Sequence, residues 1–94
     1  MEISDYRAKI DEIDASVVQL FAERMEVSAA IAAFKKERGL PVRDPAREEE
    51  KIASVRALAP EELRDDTERL FRLLMECSRE YQKKLNDDSE GGLA

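Results

Sequence analysis

Histidine and tryptophan are missing from this 94-residue chain, cysteine occurs once, and glycine and proline occur three times each. With no histidine and Cys77 alone, a zinc site lacks its ligands and an internal disulfide lacks its second thiol. Scarce glycine and proline, and aromatics limited to three Phe and two Tyr, disfavour a sandwich or barrel and favour long helices. The N-terminus is charged from Glu2 onward, and no apolar run is long enough for a signal peptide or a membrane span. With the unpaired thiol, this points to a reducing cytoplasm. Basic residues are outnumbered, 16 against 22 acidic, for a formal charge of −6. That balance argues against nucleic acid as a partner, because gripping a phosphate backbone requires a basic face. No internal repeat is present.

What remains is one small domain of an all-α protein. The spacing predicts three helices, long, short and long. The first starts near Ser4, an acceptable N-cap, and keeps its period to about Lys36 before Gly39 and Pro41 end it. Asp44 followed by Pro45 reads as a cap and first helical residue, opening a second helix through about Leu58 that Pro60 closes. A third begins between Glu61 and Asp66 and carries Leu63, Leu70, Leu74, Tyr81 and Leu85 on one face to about Asn86. Residues 1–86 therefore form the folded domain, and the acidic, Gly-containing tail over residues 87–94 is expected to be disordered.

Along the first helix, Tyr6, Ile10, Ile13, Val17, Leu20, Val27, Ile31 and Phe34 follow steps of three and four, the spacing of a buried seam. Arg24 interrupts that seam at a core position. A buried guanidinium without a partner costs several kcal/mol, so an anion is expected beside it, either a carboxylate of the chain or a ligand. A helix of about 33 residues is about 50 Å long at about 1.5 Å per residue, against a diameter near 30 Å for a compact globule of this size. A second copy of the chain is the simplest cover for the overhang, which gives an intertwined helical homodimer.

The cations on this helix fall into two groups. Arg24 and Lys35 are eleven residues apart, about 20° from full register and about 16 Å along the axis, so both point to one face and can converge on a small anion. Arg7 lies about 25 Å further back and can reach such a ligand only from the partner chain of an antiparallel two-fold dimer. Singly, such residues are more often snorkelling or salt-bridged. Asp44 stands at a helix N-terminus with Arg47 and Glu48 in the first turn, which is also ordinary local stabilisation. Ser78 and Gln82 share a face of the third helix and offer a hydroxyl and an amide to a pocket.

Taken together, RAKIDEID, LFAERMEVSAAIAAFKK, GLPVRDPARE and LFRLLMECSREYQ resemble the all-helical, AroQ-type chorismate mutases over nearly the whole folded chain. The resemblance implies a substrate site lined by Arg7 of the partner chain, Arg24, Lys35, Asp44, Arg47, Glu48, Ser78 and Gln82. The chain departs from the family in a slightly short connection between the second and third helices and in Ser28 and Cys77. The implied activity is the Claisen rearrangement of chorismate to prephenate in phenylalanine and tyrosine biosynthesis, the isomerase step leading out of the shikimate pathway. It uses no cofactor, metal, nucleophile or proton transfer, so catalysis rests on holding a compact conformer and stabilising the charge that separates as the ether bond stretches.

In that scheme Arg24 and the partner's Arg7 clamp the two substrate carboxylates, and Lys35 and Gln82 donate to the ether oxygen. Glu48 accepts from the ring hydroxyl, Asp44 and Ser78 complete the polar contacts, and Arg47 supports Glu48 and the carboxylate pocket. Catalysis thus falls to Lys35, Gln82, Arg24 and Glu48. An isochorismate-pyruvate lyase of the same fold is the nearest alternative. A non-enzymatic helical dimer is the other, and it predicts Arg24 paired with an internal acid such as Glu48 and no cavity. The length leaves no room for a dehydratase, dehydrogenase or amino-acid-sensing domain, so feedback control within this polypeptide is not expected.

Overall fold

The computed structural model describes the backbone of residues 1–93 and the side chains of residues 1–85. Helix α1 spans Ile3–Glu37 and α2 spans Pro45–Leu58; a single 3-10 turn, Glu61–Leu63, leads into α3, Arg64–Leu93. No strand occurs among the described residues, so the all-helical, long-short-long order matches the sequence pattern. The backbone of α3 runs beyond the end predicted at Asn86. The tail over residues 87–94, expected to be disordered, has a helical backbone through Leu93; Ala94 and the side chains from residue 86 onward lie outside the described residues.

The ends of the helices follow from local chemistry, with one correction. Ser4 does not cap α1; it lies in the first turn, and Glu2 is the N-cap. The Asp5 carboxylate accepts from the Glu2 N–H at 2.8 Å, a negative group satisfying a free donor at the positive end of the helix. At the other end Gly39 adopts φ 69°. The Gly39 N–H donates to the Lys36 carbonyl and the Leu40 N–H to the Lys35 carbonyl, at 3.2 and 2.8 Å. This is the paired closure that glycine permits because it has no Cβ to clash. Asp44 opens α2 as expected, its Oδ1 accepting from the Arg47 N–H at 3.1 Å, with Pro45 next in line.

Helix α3 is the organiser: α1 and α2 each pack on it, and among the described residues α1 and α2 do not pack on each other. Among the described residues the buried positions are Met25 of α1, Ile52 and Val55 of α2, and Met75 and Ser78 of α3. Arginines tie α2 to α3 at the surface. Arg56 meets Asp65 and Glu68, both at 3.0 Å, and Arg72 meets Glu49 at 3.1 Å and Glu68 at 2.9 Å. Such exposed pairs set register more than they stabilise.

The predicted seam of α1 is not buried within one chain. Side chains from Tyr6 to Leu20 along it range from 47% exposed at Ile13 to 62% at Leu20, and Val27, Ile31 and Phe34 are also about half exposed. Helix α1 turns Met25 inward instead. The radius of gyration is 17.0 Å and the extents are 57 × 30 × 15 Å, whereas a compact domain of this length has a radius near 12 Å. An isolated chain leaves a large apolar strip in contact with water.

Candidate active site

Where α1, the segment leading into α2 and α3 converge, they wall a cleft of about 520 Å³ lined by Arg24, Ser28, Arg43, Glu48, Ser78, Arg79, Gln82 and Lys83, with Val42 and Met75. Four of these residues are cationic and one is a carboxylate, although the chain as a whole carries −6. The cleft is thus positive within an acidic protein, and it favours a small anion. Among the described residues no group of three or more His, Cys, Asp or Glu side chains is placed to hold a metal.

Arg24 reaches the cleft from α1. Its guanidinium donates to the Ser78 hydroxyl at 3.2 Å and lies 5.9 Å from the centre of the Phe71 ring, an arrangement that supports a cation from one side. No carboxylate lies within salt-bridge distance of Arg24 among the described residues. Ser78 is buried, receives Arg24 and, at 3.4 Å, the Ser28 hydroxyl, and donates to the Leu74 carbonyl at 3.0 Å. Gln82, one turn further along α3, donates from Nε2 to the Ser28 carbonyl at 3.0 Å. That contact leaves the second amide hydrogen for the cleft.

Glu48 enters from the first turn of α2. Its Oε1 accepts from Arg79 at 2.9 Å, and Arg43 approaches the same oxygen at 3.9 Å. Arg47, expected to support Glu48, turns away and meets Glu50 at 3.5 Å. The reason is geometric: neighbouring residues on a helix point about 100° apart and do not face each other. Arg47 lines an adjoining hollow that shares Arg24, Ser28, Glu48 and Met75 with the main cleft and adds Lys51 and Phe71.

Lys35 stands at the rim, its Nζ donating at 3.3 Å to the carbonyl of Val42, which itself lines the cleft. Asp44 is occupied by its capping bond to Arg47. Arg7 is exposed near the start of α1, about 25 Å along the axis from Arg24 at 1.5 Å per residue. One chain therefore gathers Arg24, Glu48, Ser78 and Gln82 in the main cleft, sets Arg47 and Lys35 at its margins, and leaves Arg7 apart.

Sequence reasoning missed Arg43, Arg79 and Lys83. The signal for two of them was present: Met75, Ser78, Arg79 and Gln82 lie within two turns at helical spacing, and Lys83 follows Arg79 by four. Arg43 sits in an irregular connection, where spacing predicts no direction. The rival picture of a non-enzymatic bundle required Arg24 to pair with an internal acid in a filled core. Arg24 pairs instead with a hydroxyl beside an open cleft.

Residues 6–83 match the chorismate mutase type II family. Over 91 residues the chain is 31% identical to the chorismate mutase of Methanocaldococcus jannaschii, which covers 95% of this chain and 92% of that protein. A shorter stretch of 46 residues is 39% identical to the T-protein of Haemophilus influenzae, covering 49% of this chain and 12% of that protein. No solved structure is significantly similar. The family match runs from just before Arg7 to Lys83 and so takes in every side chain of the cleft; the chain belongs to the chorismate mutase type II family.

Proposed function

We propose that this chain converts chorismate to prephenate as a cytoplasmic homodimer serving phenylalanine and tyrosine biosynthesis. The observation that carries this reading is Arg24: a guanidinium held in place by a neutral hydroxyl, without a carboxylate partner among the described residues, in a cleft with four cations and one acid. Chorismate bears two carboxylates, and an excess of positive charge is what a dianion needs on leaving water.

The reaction is a rearrangement within one molecule. The ether C–O bond breaks as a C–C bond forms between the enolpyruvyl group and the ring, and no atom is gained or lost. Arg24 binds one substrate carboxylate through its planar fork and the partner copy's equivalent of Arg7 binds the other, fixing the compact conformer from which the new bond can form. Lys35 and Gln82 donate to the ether oxygen, where negative charge grows as the bond stretches. Each has a donor to spare beyond its bond to Val42 or Ser28. Glu48 accepts from the ring hydroxyl. Asp44 and Ser78 add polar contacts, and Arg47 contributes positive charge from the adjoining hollow.

Two features support the dimer: the exposed apolar strip of α1 and the distance of Arg7 from its own cleft. An antiparallel second copy would cover the strip and bring its Arg7 to the open end of the site. The test is loss of chorismate absorbance with purified protein, with acid conversion of prephenate to phenylpyruvate as the product check. Saturable turnover that disappears in Arg24→Ala is the expected result. A folded dimer inactive on chorismate would overturn the reading and direct the assay to isochorismate.

A further inference from the structure

We propose that Arg79 is a positioning residue for Glu48, holding that carboxylate so that one oxygen stays available to the ring hydroxyl of the substrate; this rests on the mutase reading above. Both nearby arginines engage the same oxygen. Arg79 donates to Oε1 at 2.9 Å and Arg43 makes its shortest approach to Oε1, at 3.9 Å, and among the described residues Oε2 accepts no hydrogen bond. A carboxylate pinned through one oxygen presents the other in a fixed direction, as an acceptor for a single hydroxyl requires.

The origin of the two side chains gives the contact its purpose. Glu48 sits in the first turn of α2, beside an irregular connection. Arg79 extends from the part of α3 that also carries Ser78 and Gln82. Their bond ties the acceptor to the same rigid helix that sets the donors, so parts of the site borne by different helices keep one geometry. The side chains of Glu48 and Arg79 are 24% and 39% exposed, sheltered enough for a charge-assisted bond to hold its geometry. Charge supplies a second reason. A bare carboxylate beside a dianionic substrate would repel it, and Arg79 offsets that repulsion without consuming Arg24.

The experiment compares kcat/KM on chorismate for Arg79→Met and Arg79→Lys, each in the wild-type and the Glu48→Ala background, with circular dichroism and dimer mass as checks on folding. Arg79→Met is expected to lower kcat/KM about ten- to a hundredfold, as loss of a charge-assisted bond does. Arg79→Lys should recover part of that loss. In the Glu48→Ala background, Arg79→Met should cost less than about twofold, because the acceptor it holds is already gone. Equal losses in both backgrounds would mean that Arg79 acts on the substrate or on the fold directly, and would overturn the assignment. If Arg79→Met loses its helical signal, Arg79→Gln, which keeps length and polarity, replaces it. A wild-type chain inactive on chorismate would defeat the mutase reading and this assignment with it, whereas an active wild type with additive losses defeats this assignment alone.

Discussion

Arg24 and Ser78 meet across the α1–α3 contact at 3.2 Å, and the hydroxyl that receives the guanidinium is itself anchored to the Leu74 carbonyl at 3.0 Å. A neutral anchor orients Arg24 without spending its charge, which a carboxylate in the same place would neutralise. Ser78→Ala keeps the charge and removes the anchor. Its expected effect is a loss of about tenfold in kcat/KM with the fold retained, the scale of one hydrogen bond to a charged group. Unchanged kinetics in the alanine variant would show that packing alone orients Arg24.

Lys35 is tethered at the rim by a bond to the Val42 carbonyl. As a donor to charge that exists only in the transition state, it should matter for turnover more than for binding. Lys35→Ala is expected to raise the barrier by about 3 to 4 kcal/mol with little change in KM. Near-normal kcat would remove Lys35 from the catalytic set.

Gln82 can donate at any pH, so turnover is expected to be nearly flat from about pH 5 to 8, above the ordinary carboxylate range. Gln82→Glu makes donation conditional on protonation and sets a carboxylate against the Ser28 carbonyl. Its activity should therefore decline as pH rises through the titration of the new acid. A flat profile in that variant would show that residue 82 donates nothing essential.

Mixed subunits test the contribution of Arg7. Arg7→Ala and Arg24→Ala homodimers should each be inactive, but subunit exchange builds heterodimers in which one site carries both defects and the other carries neither. Equal mixing should then restore about a quarter of wild-type activity, since half the dimers are mixed and each has one intact site. No recovery, with exchange verified by mass, would separate Arg7 from the partner's site.

The Glu49–Arg72 pair predicts a small acid dependence of stability. The hydrogen bond from Arg72, followed by its charge, lowers the pKa of Glu49 from the ordinary 4.5. Unfolded Glu49 takes up a proton more readily, so the stabilisation is complete above about pH 4.5 and is lost as pH falls through the lower folded value. Because the pair is exposed, the effect is modest and screened by salt. Glu49→Gln should melt slightly below wild type at about pH 6, and the gap should narrow as pH falls below the ordinary carboxylate range. A gap that widens in acid would show that the pair does not govern this part of the profile.

Much of the architecture was legible because it depends on neighbours in sequence. The Asp44–Pro45 pair opens α2 where the pattern predicted, and Gly39 closes α1, because a capping carboxylate and a left-handed glycine act within one turn of chain. The start of α1 was misread for an equally local reason: Ser4 and Asp5 can each serve a helix end, and the Asp5–Glu2 bond prevailed. For the site, Arg24 declared itself as a charge on an apolar stripe, and Ser78 and Gln82 as polar residues at matching heights on α3. The partnership of Glu48 was not legible. Arg47 is its neighbour in sequence and points elsewhere, while Arg79 lies 31 residues away.

The sequence by itself determined the helices, their order and the residue types offered to an anion, since propensity, capping and apolar period are properties of short stretches. Only the tertiary structure decided which face of α1 packs within the chain, that Arg24 rests on a hydroxyl, and that Arg79 holds one oxygen of Glu48. Those outcomes depend on the rotation and spacing of α1 and α2 against α3, and side chains on different helices meet at distances that no spacing along one helix encodes.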